Sequence, residues 1–251
     1  MLGNFAMDAA AIQFVAAFML VVARLSVVVF LMPGLGEQMI SVRVRVSVLL
    51  AVALAVTMRD LAGLVPPSTL DGFLAAIIVE VAIGFVLGVM LRLTVWILTI
   101  AGTAIAQSVG LSQFLGVALE TEQQTVFANL LALSGAALLL SIDFHVHVVA
   151  AFIQLYSVVP IAGWAELDLE MAVDAVFEGF GYAITLAWPF VLGGLLYNIC
   201  LGFINRALPQ LMVAFVGAPF IVGAGVVFLF MSVSALLIAW KTTALALVGW
   251  V

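Results

Sequence analysis

Apolar runs long enough to cross a membrane alternate with short polar breaks along nearly the whole chain. The first runs from about Ala9 to Met32 and stops at Pro33-Gly34. A polar connection from Glu37 to Arg45 leads into a second run, about Val46 to Val65, which Arg59-Asp60 interrupts before Pro66-Pro67. The third begins near Asp71 and reaches about Gln107, too long for one span of about 20 residues, so a bend or break is expected around Arg92. Residues 107–125 are the most polar interior interval. Further runs cover about Val126 to Ile142 and Val146 to Trp164, followed by an acidic, amphipathic segment from Glu166 to Glu178. The last two cover about Gly181 to Phe203 and Leu211 to Trp240, and Pro209 between them marks a break because proline cannot continue the hydrogen-bond ladder.

These elements predict an all-α, multi-helix integral membrane protein, because spans in lipid must satisfy their own backbone groups. Short alternating segments of a transmembrane barrel are absent. No linker and no strict repeat divides the chain, so residues 1–251 are expected to form a single membrane domain. Composition agrees: 67% of the 251 residues are hydrophobic and 8% charged, against roughly 25% charged in soluble domains. The mean hydropathy is +1.40. The N-terminus, MLGNFAMDAAAIQ, lacks a basic signal-peptide region, so the first run is expected to persist as a helix. Arg43 and Arg45 favour a cytoplasmic connection.

A net charge of −6 excludes the basic footprint of a nucleic-acid binder. Cys200 is the sole cysteine, so neither an internal disulfide nor a thiol metal cluster can form. Asp143-Phe144-His145-Val146-His147 places two imidazoles close together, but a metal needs further ligands, and an interfacial helix cap is the simpler reading. No hydrolase, zinc-protease or phosphate-loop motif occurs. No catalytic residue, metal site or cofactor is expected.

Four charges stand inside or beside apolar runs: Arg24, Glu80, Arg92 and Arg206. Each costs at least ~2.5–3.5 kcal/mol at the bilayer centre, so each needs a partner, water or a snorkelling path to the interface. Glu80, Gly84 and Gly88 share four-residue spacing, as do Asn198, Gly202 and Arg206, with Asn205 seven residues after Asn198. Such stripes suit helix packing, with glycines for close approach and polar groups for interhelical bonds. In the central interval, polar flanks enclose an apolar centre of Leu111, Phe114, Leu115, Val117 and Leu119, with Gly110 and Gly116 for tight turns. Irregular backbone at membrane depth survives only in protein or beside a water-filled cavity, which favours a re-entrant or constricting loop.

The segment Asn198-x-x-Leu201-Gly202-x-x-x-Arg206-x-x-Pro209-Gln210, followed by Gly217-x-Pro219, resembles the C-terminal signature of the FliR family of flagellar export-gate proteins, related to the T component of virulence type III secretion. Arg24-Leu25-Ser26, Pro33, Val42-Arg43-Val44-Arg45, Glu80-x-x-x-Gly84-x-x-x-Gly88, Gln107-x-x-Gly110-Leu111-Ser112, His145 and Ser157-x-x-Pro160 fall in the family order. The chain departs from the family at Ala118-Leu119-Glu120, where Asp-Pro is usual, and at Ser41, Met212 and Phe220-Ile221.

The resemblance implies a non-catalytic structural subunit of the flagellar type III export gate. One copy would assemble with several P and Q components into a helical, cone-shaped channel for unfolded polypeptides. That channel would lie in the bacterial inner membrane at the centre of the basal body, beside the large export-gate and switch components. By the same resemblance the loop from about Gly110 to Thr121 would project into the pore and seal it. Arg24, Glu80, Gly84, Gly88, Asn198, Gly202, Asn205, Arg206, Pro209 and Gln210 are then expected at subunit interfaces. The competing expectation is a small secondary transporter with Glu80 and Arg206 as coupling or substrate groups at broken helices.

Overall fold

The computed structural model describes residues 2–37, 40–59, 63–109, 126–207 and 213–247. Among them are seven α-helices and no strand: α1 (Leu2–Leu31), α2 (Val42–Arg59), α3 (Leu70–Ser108), α4 (Val126–Ser141), α5 (Phe144–Val158), α6 (Leu169–Ala207) and α7 (Val213–Leu247). A short 3-10 turn, Trp164–Glu166, precedes α6. The all-helical expectation is met. Four helical stretches are long and apolar enough to cross a membrane, namely Ala10–Leu31, Leu70–Ser108, Leu169–Ala207 and Pro219–Ala246. A fifth candidate consists of α4 and α5, broken at Ile142-Asp143, where Asp143 takes a left-handed φ of 56°.

One expectation fails. α3 runs unbroken for 39 residues through Arg92. Helix geometry makes it roughly 58 Å long, well beyond the ~30 Å of hydrocarbon. No break is needed at Arg92, because its guanidinium reaches Glu37 at 2.6 Å in the α1–α2 connection, with both side chains about three-quarters buried. The charge is satisfied sideways, and the α3 backbone keeps its own hydrogen bonds. The acidic segment also differs from expectation, since from Leu169 onward it forms the first turns of α6 rather than a separate element.

The chain divides into two compact units. The first comprises residues up to Leu93 together with Leu139–Val176, and the second Thr94–Leu138 and Phe177–Leu247. In the first unit, Ala17, Leu20, Val21, Arg24, Leu25 and Val28 of α1 are all buried. Their spacing of three and four residues is the signature of a single helix face turned inward. α5 contributes a matching stripe, Phe144, Val148, Phe152 and Tyr156, one residue per turn.

The second unit is knit by small residues and one large one. At Gly102, an added methyl would lie 2.6 Å from the Ala128 Cα, so α3 and α4 touch backbone to backbone. Trp240 of α7 is fully buried, packs with Leu98 against Gly135, and donates its indole N–H to the Thr94 carbonyl at 2.7 Å. Phe190 of α6 meets Phe228 of α7 with ring centroids 4.7 Å apart, a tilted pairing favoured by the ring quadrupoles.

Candidate functional site

The first unit internalises two of the misplaced charges, and it does so by pairing them. Arg24 and Glu80 are both 0% exposed. The Arg24 Nε donates to Glu80 Oε2 at 2.6 Å, and Nη2 donates to Glu80 Oε1 at 3.0 Å. This two-pronged fork matches the planar guanidinium to the carboxylate, the strongest form of side-chain hydrogen bonding. Two donors remain in use. Nη1 meets the Val159 carbonyl at 2.8 Å, and Nη2 also meets the Pro160 carbonyl at 2.9 Å. Glu80 Oε1 accepts the Ala162 backbone N–H at 2.8 Å. The Tyr156 ring lies 4.2 Å beneath the guanidinium carbon, adding a cation–π contact.

The pair therefore ties three elements: α1, α3 and the connection between α5 and α6. Local sequence explains why the connection receives it. Pro160 ends α5 and leaves the carbonyls near the helix end without intrahelical donors, which makes them acceptors for Arg24. Ala162 adopts a left-handed φ of 58°, and that turn aims its N–H at Glu80. An alanine there is strained by roughly 1–2 kcal/mol, and the bond to Glu80 helps hold the conformation.

The glycines of the Glu80 stripe bring the helices together. A methyl added to Gly84 would run into the backbone carbonyl of Arg24, and one on Gly88 would lie 2.8 Å from the Leu31 Cδ1. α3 and α1 are thus close enough for the fork to form. Arg24, Glu80, Gly84 and Gly88, expected at subunit interfaces, are buried inside their own unit. The physical reason is that opposite charges on neighbouring helices of one unit neutralise each other without a partner.

The second stripe is placed differently. Asn198, Gly202, Asn205 and Arg206 lie on the last turns of α6, and all are exposed. Neither amide nor the guanidinium has a hydrogen-bond or ionic partner among the described residues. An added methyl at Gly202 would meet nothing within 4 Å. Exposed Leu195, Ile199 and Phe203 flank this face. Pro209, Gln210 and the seven loop positions Gly110, Leu111, Phe114, Leu115, Gly116, Val117 and Leu119 lie outside the described residues.

Among the described residues no group of His, Cys, Asp and Glu has the arrangement of a metal site. His147 Nδ1 lies 3.0 Å from the Asp143 carbonyl within its own helix turn. Sequence reasoning missed Tyr156, the Val159 and Pro160 carbonyls, Ala162 and Trp240. Ser157-x-x-Pro160 was the signal available for the connection. Nothing in the sequence distinguishes Trp240 from the other tryptophans.

Comparison with known proteins identifies the family. Residues 15–246 match the family described as bacterial export proteins, family 1. The flagellar biosynthetic protein FliR of Caulobacter vibrioides is 34% identical over 227 residues, covering 88% of this chain and 90% of that protein. FliR of Aquifex aeolicus is 27% identical over 222 residues, 88% of this chain and 86% of its own length. FliR of Escherichia coli is 25% identical over 201 residues, 77% and 75% respectively. The chain belongs to the FliR family of bacterial export proteins, and is a multi-pass membrane protein and non-enzymatic component of the flagellar type III export apparatus.

Proposed function

We propose that the chain is a structural subunit of the export gate, helping to form and seal the channel through which unfolded flagellar proteins pass. In this reading it joins several copies of the P and Q components in the inner membrane at the centre of the basal body. The large export-gate and switch components lie beside them. Its polar stripe on α6 and the exposed apolar face of α7 pack against those neighbours, and the loop around 110–121 closes the pore.

The observation that carries this reading is the α6–α7 surface. In an 18-residue apolar stretch of Leu169–Ala207 only 22% of the residues are buried within the chain, and in one of Pro219–Ala246 only 11%. Phe203, Phe220, Phe230 and Met231 are each at least 69% exposed. Acyl chains would cover the apolar groups, but they offer no hydrogen bonds to Asn198, Asn205 or Arg206. A helix from another subunit satisfies both needs.

The transporter reading loses support at Glu80. A carboxylate that is fully buried, forked to Arg24 and bonded to Ala162 is closed to solvent and already neutralised, unlike a group that takes up a solute or coupling ion. Purification of a tagged chain from its flagellated host in mild detergent tests the proposal. A large complex with P and Q components and one copy of this chain is expected. A stable monomer active in small-solute uptake would overturn it. Deleting residues 112–118 is expected to make the assembled channel leak ions, and unchanged conductance would reject the sealing role.

A further inference from the structure

The region after Glu178 has an unusual charge pattern. Residues 179–251 contain no aspartate and no glutamate, and their only charged side chains are Arg206 and Lys241. Glu178 is the nearest carboxylate earlier in α6. At 1.5 Å per residue it lies about 42 Å along the helix from Arg206, beyond the reach of any side chain. Arg206 is exposed on the same end of α6 as two asparagine amides that have no partner among the described residues, and Gly202 one turn earlier leaves room for a backbone.

The first unit shows how this chain handles the same problem. There an arginine inside an apolar helix is met by a carboxylate from a helix that glycines allow to come close. The α6 face has the arginine and the glycine gap, but among the described residues no acid meets it. We propose that its occupant is a helix of a neighbouring subunit that presents an aspartate or glutamate to Arg206, with hydrogen-bond acceptors or donors for Asn198 and Asn205. The inference rests on the assembly reading above and adds the chemistry of the partner. A phospholipid phosphate could also meet the guanidinium. It would not need the gap at Gly202, and its acyl chains would leave the Asn198 amide unpaired.

The fork would work across subunits as it does within the chain. The guanidinium is planar and carries donors in a fixed geometry, so a carboxylate binds through two parallel bonds and fixes the rotation of the incoming helix. Lysine keeps the charge but not that geometry. Arg206 would therefore set both the strength and the register of docking.

The test uses the full-length chain in its flagellated host, with a diazirine-bearing photo-crosslinking amino acid in place of Phe203. That position is 70% exposed and lies beside Gly202. Irradiation is expected to give an adduct with another subunit, identified by mass spectrometry and normalised to the amount of chain present. Arg206→Gln and Arg206→Glu are each expected to lower its yield about tenfold or more, since the paired carboxylate is left unmatched. Arg206→Lys falls between. Selection for restored motility from Arg206→Glu is expected to return Asp or Glu changed to Lys or Arg in that same subunit. Unchanged adduct yield in Arg206→Gln would overturn the carboxylate and leave the assembly reading standing. Adducts to phospholipid alone, in every variant, would overturn both.

Discussion

Two stripes in this chain are spaced alike and surrounded oppositely. Glu80, Gly84 and Gly88 recur every four residues on α3, and Asn198, Gly202 and Arg206 do so on α6. At Gly84 an added methyl meets the Arg24 carbonyl at once, whereas at Gly202 it meets open space. Glu80 is fully buried with three polar bonds, while Arg206 is exposed with none among the described residues. Gly181, Gly193 and Gly223, also on α6 and α7, face open space as well. Spacing alone shows only that backbones can approach along a stripe. Whether the approaching helix is the chain's own depends on where the opposite charge lies. The first unit pairs both signs, whereas among the described residues of the second the only carboxylate side chain is Glu178, far along α6 from Arg206.

The sharpest way to break this comparison is to remove one half of the buried pair. Glu80→Ala leaves the Arg24 guanidinium uncompensated at zero exposure, and losing one partner of a buried pair costs about 3–5 kcal/mol. The expected result is a large fall in cellular level and in the melting temperature of the detergent-solubilised chain, before any partner is present. Replacing both residues by leucine is expected to recover only part of this. An apolar pair removes the stranded charge, but the Val159 carbonyl and the Ala162 N–H lose their partners, and the Pro160 carbonyl keeps only the Gly163 N–H. Full stability in Glu80→Ala would show that the pair is not a structural element at all.

Paired glycine replacements sharpen the contrast because their signs are expected to differ. Gly84→Ala forces α3 and α1 apart, and overpacking of this kind costs roughly 1–3 kcal/mol. Gly202→Ala adds a methyl to open space on a helix, where alanine is favoured over glycine by up to ~1 kcal/mol. The isolated chain should therefore melt lower with the first and no lower with the second. The order reverses for complex formation per folded chain, where Gly202→Ala is the damaging change. A loss of isolated-chain stability in Gly202→Ala would mean that this face is already covered by the chain itself.

The helices were legible because apolar runs of spanning length leave little choice of structure. Arg24, Glu80 and the glycines were also found, but not that they meet one another within one chain. Sequence spacing marks a residue that needs a partner without saying which partner, since α1 and α3 are joined through a helix and two connections before they meet. Arg92 was misread for the same reason. A charge in a long apolar run suggested a break, while its counter-charge, Glu37, stood 55 residues earlier. Backbone groups were the least visible. The carbonyls that finish the Arg24 site belong to Val159 and Pro160, whose side chains carry no sign of the contact.

The second unit offers a milder test through Trp240. Its indole N–H reaches the Thr94 carbonyl while its ring fills the space beside Gly135. Trp240→Phe removes the bond and part of the ring. Loss of the hydrogen bond alone is worth about 0.5–1.5 kcal/mol, so the melting temperature should drop by less than in Glu80→Ala. Trp240→Ala is expected to cost about 3–5 kcal/mol, because it opens a cavity in a fully buried site. If the phenylalanine variant loses as much as the alanine variant, the bond to α3 matters more than the packing does.

The smallest expected effect concerns the turn that presents Ala162 to Glu80. Alanine at φ 58° is strained, whereas glycine adopts this region freely but loses more entropy on folding. The two terms nearly cancel, leaving Ala162→Gly more stable by a few tenths to about 1 kcal/mol. Ala162→Val should move the other way, since a branched side chain at positive φ is a genuine outlier. If the fork holds the turn in place, both shifts should shrink toward zero when Glu80 is replaced, because the backbone is then free to leave the left-handed region. Equal shifts with and without Glu80 would show instead that Pro160 and its neighbours set the turn by themselves, and that the ion pair merely accepts a geometry already made.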